Sequence, residues 1–344
     1  MSAEACIAVL EDPERSARER ESAVQELVEL CRKDEALRER YAMRFVTLLA
    51  DDQPSVRGWG IVGVLLCDEK LEHLPRILKL LDDPSPGVRL QAIHALTPLG
   101  SEEVEAHFRP RLQDEDRLVR VAAAVALSVS GNAEGVPVLL EGIGSRHTRF
   151  DALMALRNVA PRAPEWQEAI RDAAQGVFSG FFASRFDRLA AAAVLASLGD
   201  EKASSYLLAR ARKGKLDGPI AIEWLGELRV PEGEPLLRDL AENKKDPFRG
   251  AALRGLGSYG SPSALGACQR ALADESEDVD VRCDAAEGLL LLGSDSAKEA
   301  LESARDAVKE EKVKQVVSIC LSLFGKPAEE LRLYLPLSGE EVVS

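Results

Sequence analysis

An all-α fold built from stacked antiparallel helix pairs is what this sequence predicts, and three observations predict it. One register recurs along the chain, starting at Val56, Val88, Val119, Thr148, Asp187, Asp217, Phe248, Val281 and Val313, with a weaker copy from Glu19. Successive starts from Val56 onward lie 29 to 39 residues apart. Counting each start as offset zero, the apolar residues fall at offsets zero, four, eight and eleven, which share one face of a 3.6-residue helix. Between copies runs a second apolar-periodic stretch, as at 71–81, 135–143 and 263–273.

The elements follow in order. Residues 1–50 read as an N-terminal capping unit, because only the weak copy lies there. Residues 51–325 carry the helix pairs. Ser85-Pro86 and Ser261-Pro262 have the form of an N-cap followed by a first-turn proline. Gly100, Gly131, Gly199, Gly260, Gly293 and Gly325 follow the last apolar turn of a copy, where a left-handed C-cap is wanted. A small residue at offset four (Ala92, Ala123, Ala152, Ala191, Ala221, Ala252, Ala285) lets a neighbouring helix come close. One pair alone cannot bury its apolar face, so nine or ten pairs stack into a right-handed α-solenoid, first helices outside and second helices inside. Residues 326–344 read as an extended cap, since Pro336 and the mixed pattern of 331–337 oppose another helix.

Composition excludes several classes. The 344 residues are 46% hydrophobic and 30% charged, which suits neither a disordered nor a fibrous chain. Forty-four basic against 58 acidic residues give a net charge of −14, a poor general match to phosphate backbones. No basic segment precedes an apolar core at the N-terminus, and the apolar run 189–198 is about half a membrane span. A soluble, cytoplasmic protein is expected. Cys6, Cys31, Cys67, Cys268, Cys283 and Cys320 are scattered without a C-x-x-C pair, so reduced thiols are expected rather than a zinc or redox site.

Asp83-Pro84-Ser85-Pro86-Gly87-Val88-Arg89, with Ala92, Ala95-Leu96 and Leu99-Gly100, resembles the HEAT repeat. The short period is similar to the HEAT-like subclass of phycobilin lyases. Val119-Arg120, Phe248-Arg249 and Val281-Arg282 repeat the same step; Gly218, which lacks the Arg, departs from it, as does the long step from Thr148 to Asp187. The resemblance implies that the offset-one Arg pairs with an Asp of the preceding turn, so that Asp82 or Asp83 serves Arg89 and Asp114 or Asp116 serves Arg120. The ladder of Arg57, Arg89, Arg120, Arg149, Arg188, Arg249, Arg282 and Lys314 is then structural. The resemblance also implies binding or scaffolding rather than catalysis. Its two enzyme-like branches are bilin lyases, the alternative reading here, and alkylpurine DNA glycosylases, which need a basic groove that this acidic chain does not offer. The basic cluster of Lys202, Arg210, Arg212, Lys213 and Lys215 sits at an outer or edge surface.

Other motifs have a structural reading. The strings Gly58–Gly63 and Gly255–Gly260 match G-x-G-x-x-G but fall inside second helices, where no strand precedes a phosphate loop, and close helix packing accounts for them. The acidic turn 274–280 lacks the glycine and the terminal Glu of a calcium loop. His73, His94, His107 and His147 lie in different units without ligand spacing, so no metal is expected. No catalytic residues, cofactor or enzymatic activity are predicted.

A partner would sit on the inner face of the second helices, at offsets two, three, six and nine. These give Trp59, Val62, Leu65, Leu90, His94, Val121, Val125, Phe150 and Met154 in the early copies, and Glu223, Arg254, Asp284 and Glu287 in the later ones. They line a groove for a basic or amphipathic protein segment, or tight curvature covers them as core. Four of the nine phenylalanines (Phe178, Phe181, Phe182, Phe186) crowd the long step. A lengthened first helix is expected there, and Phe181 and Phe182 are either core or a second contact.

Overall fold

Local chemistry marks where each helix starts and stops. In the computed structural model, which describes residues 1–68, 71–214, 216–326 and Leu331, twenty α-helices form and no described residue is in a strand. Ser16 and Glu19 make a reciprocal capping box at one start, and Ser184 with Asp187 makes another. Pro54 and Pro86 occupy first-turn positions, where a missing N–H costs nothing. The six glycines expected as C-caps all have positive φ, from 55° to 89°. The Asp217 copy differs: Arg229 stands at the glycine position and takes the same left-handed conformation, φ 49°.

The chain divides into two compact units at Gly142/Ile143. The first holds α1 (Ala3–Glu11), α2 (Ala17–Lys33), α3 (Glu35–Leu48), α4 (Pro54–Cys67), α5 (Leu74–Lys79), α6 (Pro86–Leu96), α7 (Glu102–Phe108), α8 (Arg117–Val129) and α9 (Val136–Gly142). The second holds α10 (Arg149–Val159), α11 (Gln167–Ser179), α12 (Arg185–Ser197), α13 (Glu201–Lys213), α14 (Gly218–Glu227), α15 (Gly233–Glu242), α16 (Arg249–Tyr259), α17 (Ala264–Ala273), α18 (Val279–Leu292), α19 (Asp295–Ala307) and α20 (Glu311–Leu323). Within each unit the fold is an α-solenoid of antiparallel pairs. Second helices pack side by side (α4 on α6 on α8; α14 on α16 on α18 on α20), and each is backed by its own first helix. The core runs between the two layers: Val56, Val88, Val119, Val313 and every offset-four alanine are fully buried. The extended cap expected at 326–344 lies outside the described residues, apart from Lys326 and the buried Leu331.

The glycine strings pack helices. All but Gly260 of the two strings lie within α4 or α16. A Cβ on Gly58 would stand 1.6 Å from Gln91 Oε1, and one on Gly63 would enter the Phe45 ring. In the second unit the contacts are backbone to backbone: a Cβ on Gly226 would lie 2.1 Å from the carbonyl oxygen of Gly255, and one on Gly257 the same distance from that of Gly288. These glycines let α14, α16 and α18 approach closer than any side chain allows.

Candidate functional site

The repeated arginines hold the pairs in line, with a correction to the expected partners. Each carboxylate comes from the following unit, while the preceding turn supplies carbonyls. Arg57 donates to Asp83 through Nε (2.8 Å) and Nη2 (2.7 Å), and Arg89 does the same to Asp114 at 2.9 and 2.7 Å. Arg57 also donates to the Asp51 carbonyl, Arg89 to that of Asp83 and Arg120 to that of Asp114. The weak copy obeys the rule, with Arg20 on Asp51 at 2.6 Å. Arg149 reaches Asp187 (3.5 Å), Arg249 pairs with Glu277, Arg188 donates to the Gly180 carbonyl and Arg282 to that of Leu272. Lys314 is exposed. Where Gly218 replaces the Arg, Asp217 is fully buried and takes Arg210 from α13, at 2.7 and 2.5 Å. That removes Arg210 from the basic cluster expected there; Lys202, Arg212 and Lys213 are exposed, and Lys215 lies outside the described residues. The pairing sets protonation too. Burial raises the Asp114 carboxyl, but hydrogen bonds from Arg89 and the Asp116 N–H outweigh it and hold the group below its ordinary value.

The inner-face positions separate into an open set and a sealed set. On α4, α6 and α8, Trp59, Val62, Leu65, Leu90 and Val125 are half-buried and His94 is exposed, whereas Val121 is buried. Phe150 and Met154 of α10 are half-buried. From α12 onward the face closes. Residues Leu189–Leu195 are fully buried, and the alanines among them are small enough for α10 to reach α14. Arg157 Nη1 meets Glu227 Oε2 at 2.9 Å, and the guanidinium lies 5.2 Å from the centre of the Trp224 ring.

Beyond that point the charged positions bind one another. Arg254 is buried among three carboxylates: Glu223 at 3.4 Å, Asp284 at 3.6 Å and Glu287 at 2.8 Å. Desolvation pushes Asp284 up to about 7 against the attraction of Arg254, and raises Glu287 in the same way. Glu223, Arg254 and Glu287, expected as groove lining, form an internal ion cluster instead. Nothing in single-sequence patterning separates these positions from the open ones, because they share offset six with Val62, His94 and Val125.

The remaining candidates also resolve. At the long step the first helix α11 runs 13 residues, against seven in α9, and ends at Ser179; Phe181 and Phe182 lie in the following turn, both exposed rather than core. Phe178 packs edge-on against Tyr206. Among the described residues no His, Cys, Asp and Glu cluster has metal-site geometry. All six cysteines are free, and five are buried.

Stacked antiparallel helix pairs, most of them ended by a glycine and tied by an Arg on the second helix, define a helical-repeat protein of the α-solenoid class. The family described as HEAT repeats matches residues 74–160, 220–279 and 247–322, more than half of the chain, and the protein belongs to it. No curated protein matches the sequence. Among solved structures it is similar to the karyopherin Kap121p bound to the SUMO protease Ulp1p (13% identity, TM-score 0.52), over 93% of this chain and 42% of the karyopherin. It thus spans about two fifths of that protein's length. Fainter likenesses are to the CpcE–CpcF complex of phycocyanin lyase from Nostoc sp. PCC7120 (18% identity, TM-score 0.37, covering 76% and 91%) and to human deoxyhypusine hydroxylase (19%, 0.32, covering 74% and 96%).

Proposed function

We propose that the protein is an interaction scaffold whose first unit holds an amphipathic segment of another protein on the inner face of α4, α6 and α8. The observation that carries this reading is the line of half-buried apolar side chains on that face. Trp59, Val62, Leu65, Leu90 and Val125 lie on adjacent second helices, beside the exposed His94. An amphipathic helix or extended peptide buries its apolar side on such a face, with an aromatic anchor supplying much of the energy. The arginine ladder fits the reading, since bidentate ties at Arg57 and Arg89 keep the helices from rearranging and lower the ordering cost of binding. Kap121p, of the same fold, is seen bound to a protein partner.

The test places a photo-crosslinking residue at position 59, 62 or 90 and, as a control, on the exposed side of α2. Native lysate should give one discrete adduct from the first three sites and none from the control. Trp59→Ala should weaken capture at position 62 by about tenfold, with unfolding free energy lower by no more than about 1 kcal/mol because Trp59 is only half-buried. Equal labelling from both faces, or capture unaffected by Trp59→Ala, would reject this face as the contact.

A further inference from the structure

The step from Thr148 to Asp187 is the longest in the repeat, and the turn between α11 and α12 displays its aromatic residues outward. Phe181 is 90% exposed and Phe182 82%, their rings edge to face at 5.2 Å. This turn is anchored. A Cβ on Gly180 would lie 2.8 Å from the Gly176 carbonyl oxygen, Arg188 donates to the Gly180 carbonyl at 2.8 Å, and Asp187 is tied to both Ser184 and Arg149. The turn before α14 does the same with Leu216, 69% exposed beside the Arg210–Asp217 pair. Contact between Phe178 and Tyr206 joins α11 to α13, the two helices whose C-terminal ends carry these turns.

Charge is sorted along the same edge. Asp187 and Asp217 are buried in ion pairs, while Arg185, Arg212 and Lys213 are exposed. An apolar, cationic edge therefore stands on a chain of net charge −14. We propose that this edge docks on a membrane leaflet rich in anionic headgroups. The two phenyl rings project into solvent and line no groove. A bilayer accepts projecting rings without a preformed pocket, whereas a folded acidic partner would have to bring one shaped for two adjacent rings. The cations beside them meet the headgroups. The surface lies in the second unit and does not depend on the first-unit groove.

Sedimentation of the full chain with vesicles tests this. In about 0.1 M salt, vesicles of phosphatidylcholine with about 30% phosphatidylglycerol should take up at least tenfold more protein than phosphatidylcholine alone. Uptake should fall about tenfold in a Phe181→Ser, Phe182→Ser variant and in an Arg185→Glu, Arg212→Glu, Lys213→Glu variant, and at about 0.5 M salt. All of these side chains are exposed, so circular dichroism of the variants should match the parent. Trp59→Ala should sediment like the parent. Equal uptake by both vesicle types, no uptake, or uptake that survives both variants would overturn the proposal. So would binding to immobilised polyglutamate through the same residues without vesicle binding, which would assign the edge to an acidic protein.

Discussion

One register position behaves uniformly in the first unit and in two ways in the second. At offset six the first unit presents Val62, His94 and Val125, half-buried or exposed, while the second leaves Met154 and Glu287 half-buried and Ile319 53% exposed but buries Ala193, Glu223 and Arg254 on α12, α14 and α16. The difference follows from how closely the second helices approach. In both units a side chain of the next second helix fills the gap above an offset-two glycine, Gln91 over Gly58 and Asp284 over Gly250. Between α14, α16 and α18 glycine backbones touch, and the inner face contracts onto itself. A charged residue at such a position is then part of the protein's own packing, and an apolar one on α4, α6 or α8 stays half-buried.

The largest way to break this contrast is Arg254→Met. It leaves three carboxylates facing one another out of water and should destabilise the protein by about 3–5 kcal/mol. A loss below about 1 kcal/mol in urea unfolding would mean that the second unit's inner face is as solvated as the first's. Next comes Gly226→Ala. The added methyl meets a backbone carbonyl that no rotamer can move, so a loss of about 1–3 kcal/mol is expected, despite alanine's better helix propensity. A neutral or stabilising result by thermal unfolding would remove the backbone contact as the cause of closure.

Last comes a pH dependence. The folded-state pKa of Asp284, about 7, lies above its ordinary value of 3.8, so the native protein holds an extra proton in between. That contribution to stability is present at the acidic end of the window and lost as the pH rises through 7. The stability of Asp284→Asn relative to the parent should therefore rise by about 1–3 kcal/mol between pH 5 and pH 8. A gain equal at both pH values would show that the carboxyl titrates normally.

The elements and their pairing were legible in the sequence because their causes are local. Pro86 starts and Gly100 or Gly260 ends a helix through contacts spanning a few residues, whereas Ser261-Pro262 lies ahead of α17, which begins at Ala264 behind Ser263. The site was legible only in part. Trp59 and Leu90 are half-buried, whereas Glu223 and Arg254, at the same kind of position, are buried. Phe181 and Phe182 were ambiguous because aromatic content alone does not say which way a turn displays its side chains.

By itself the amino-acid order determined the helix ends, the period and the membership of the core face, since hydrophobic periodicity and capping act within a turn or two. Only the tertiary structure decided that Arg89 binds Asp114 ahead of it rather than an Asp behind it. It alone also decided which inner-face residues are buried. Both depend on the distance and rotation between successive helix pairs. Those are set by contacts such as Gly226 on Gly255, between residues about thirty positions apart, and no local window of sequence contains them.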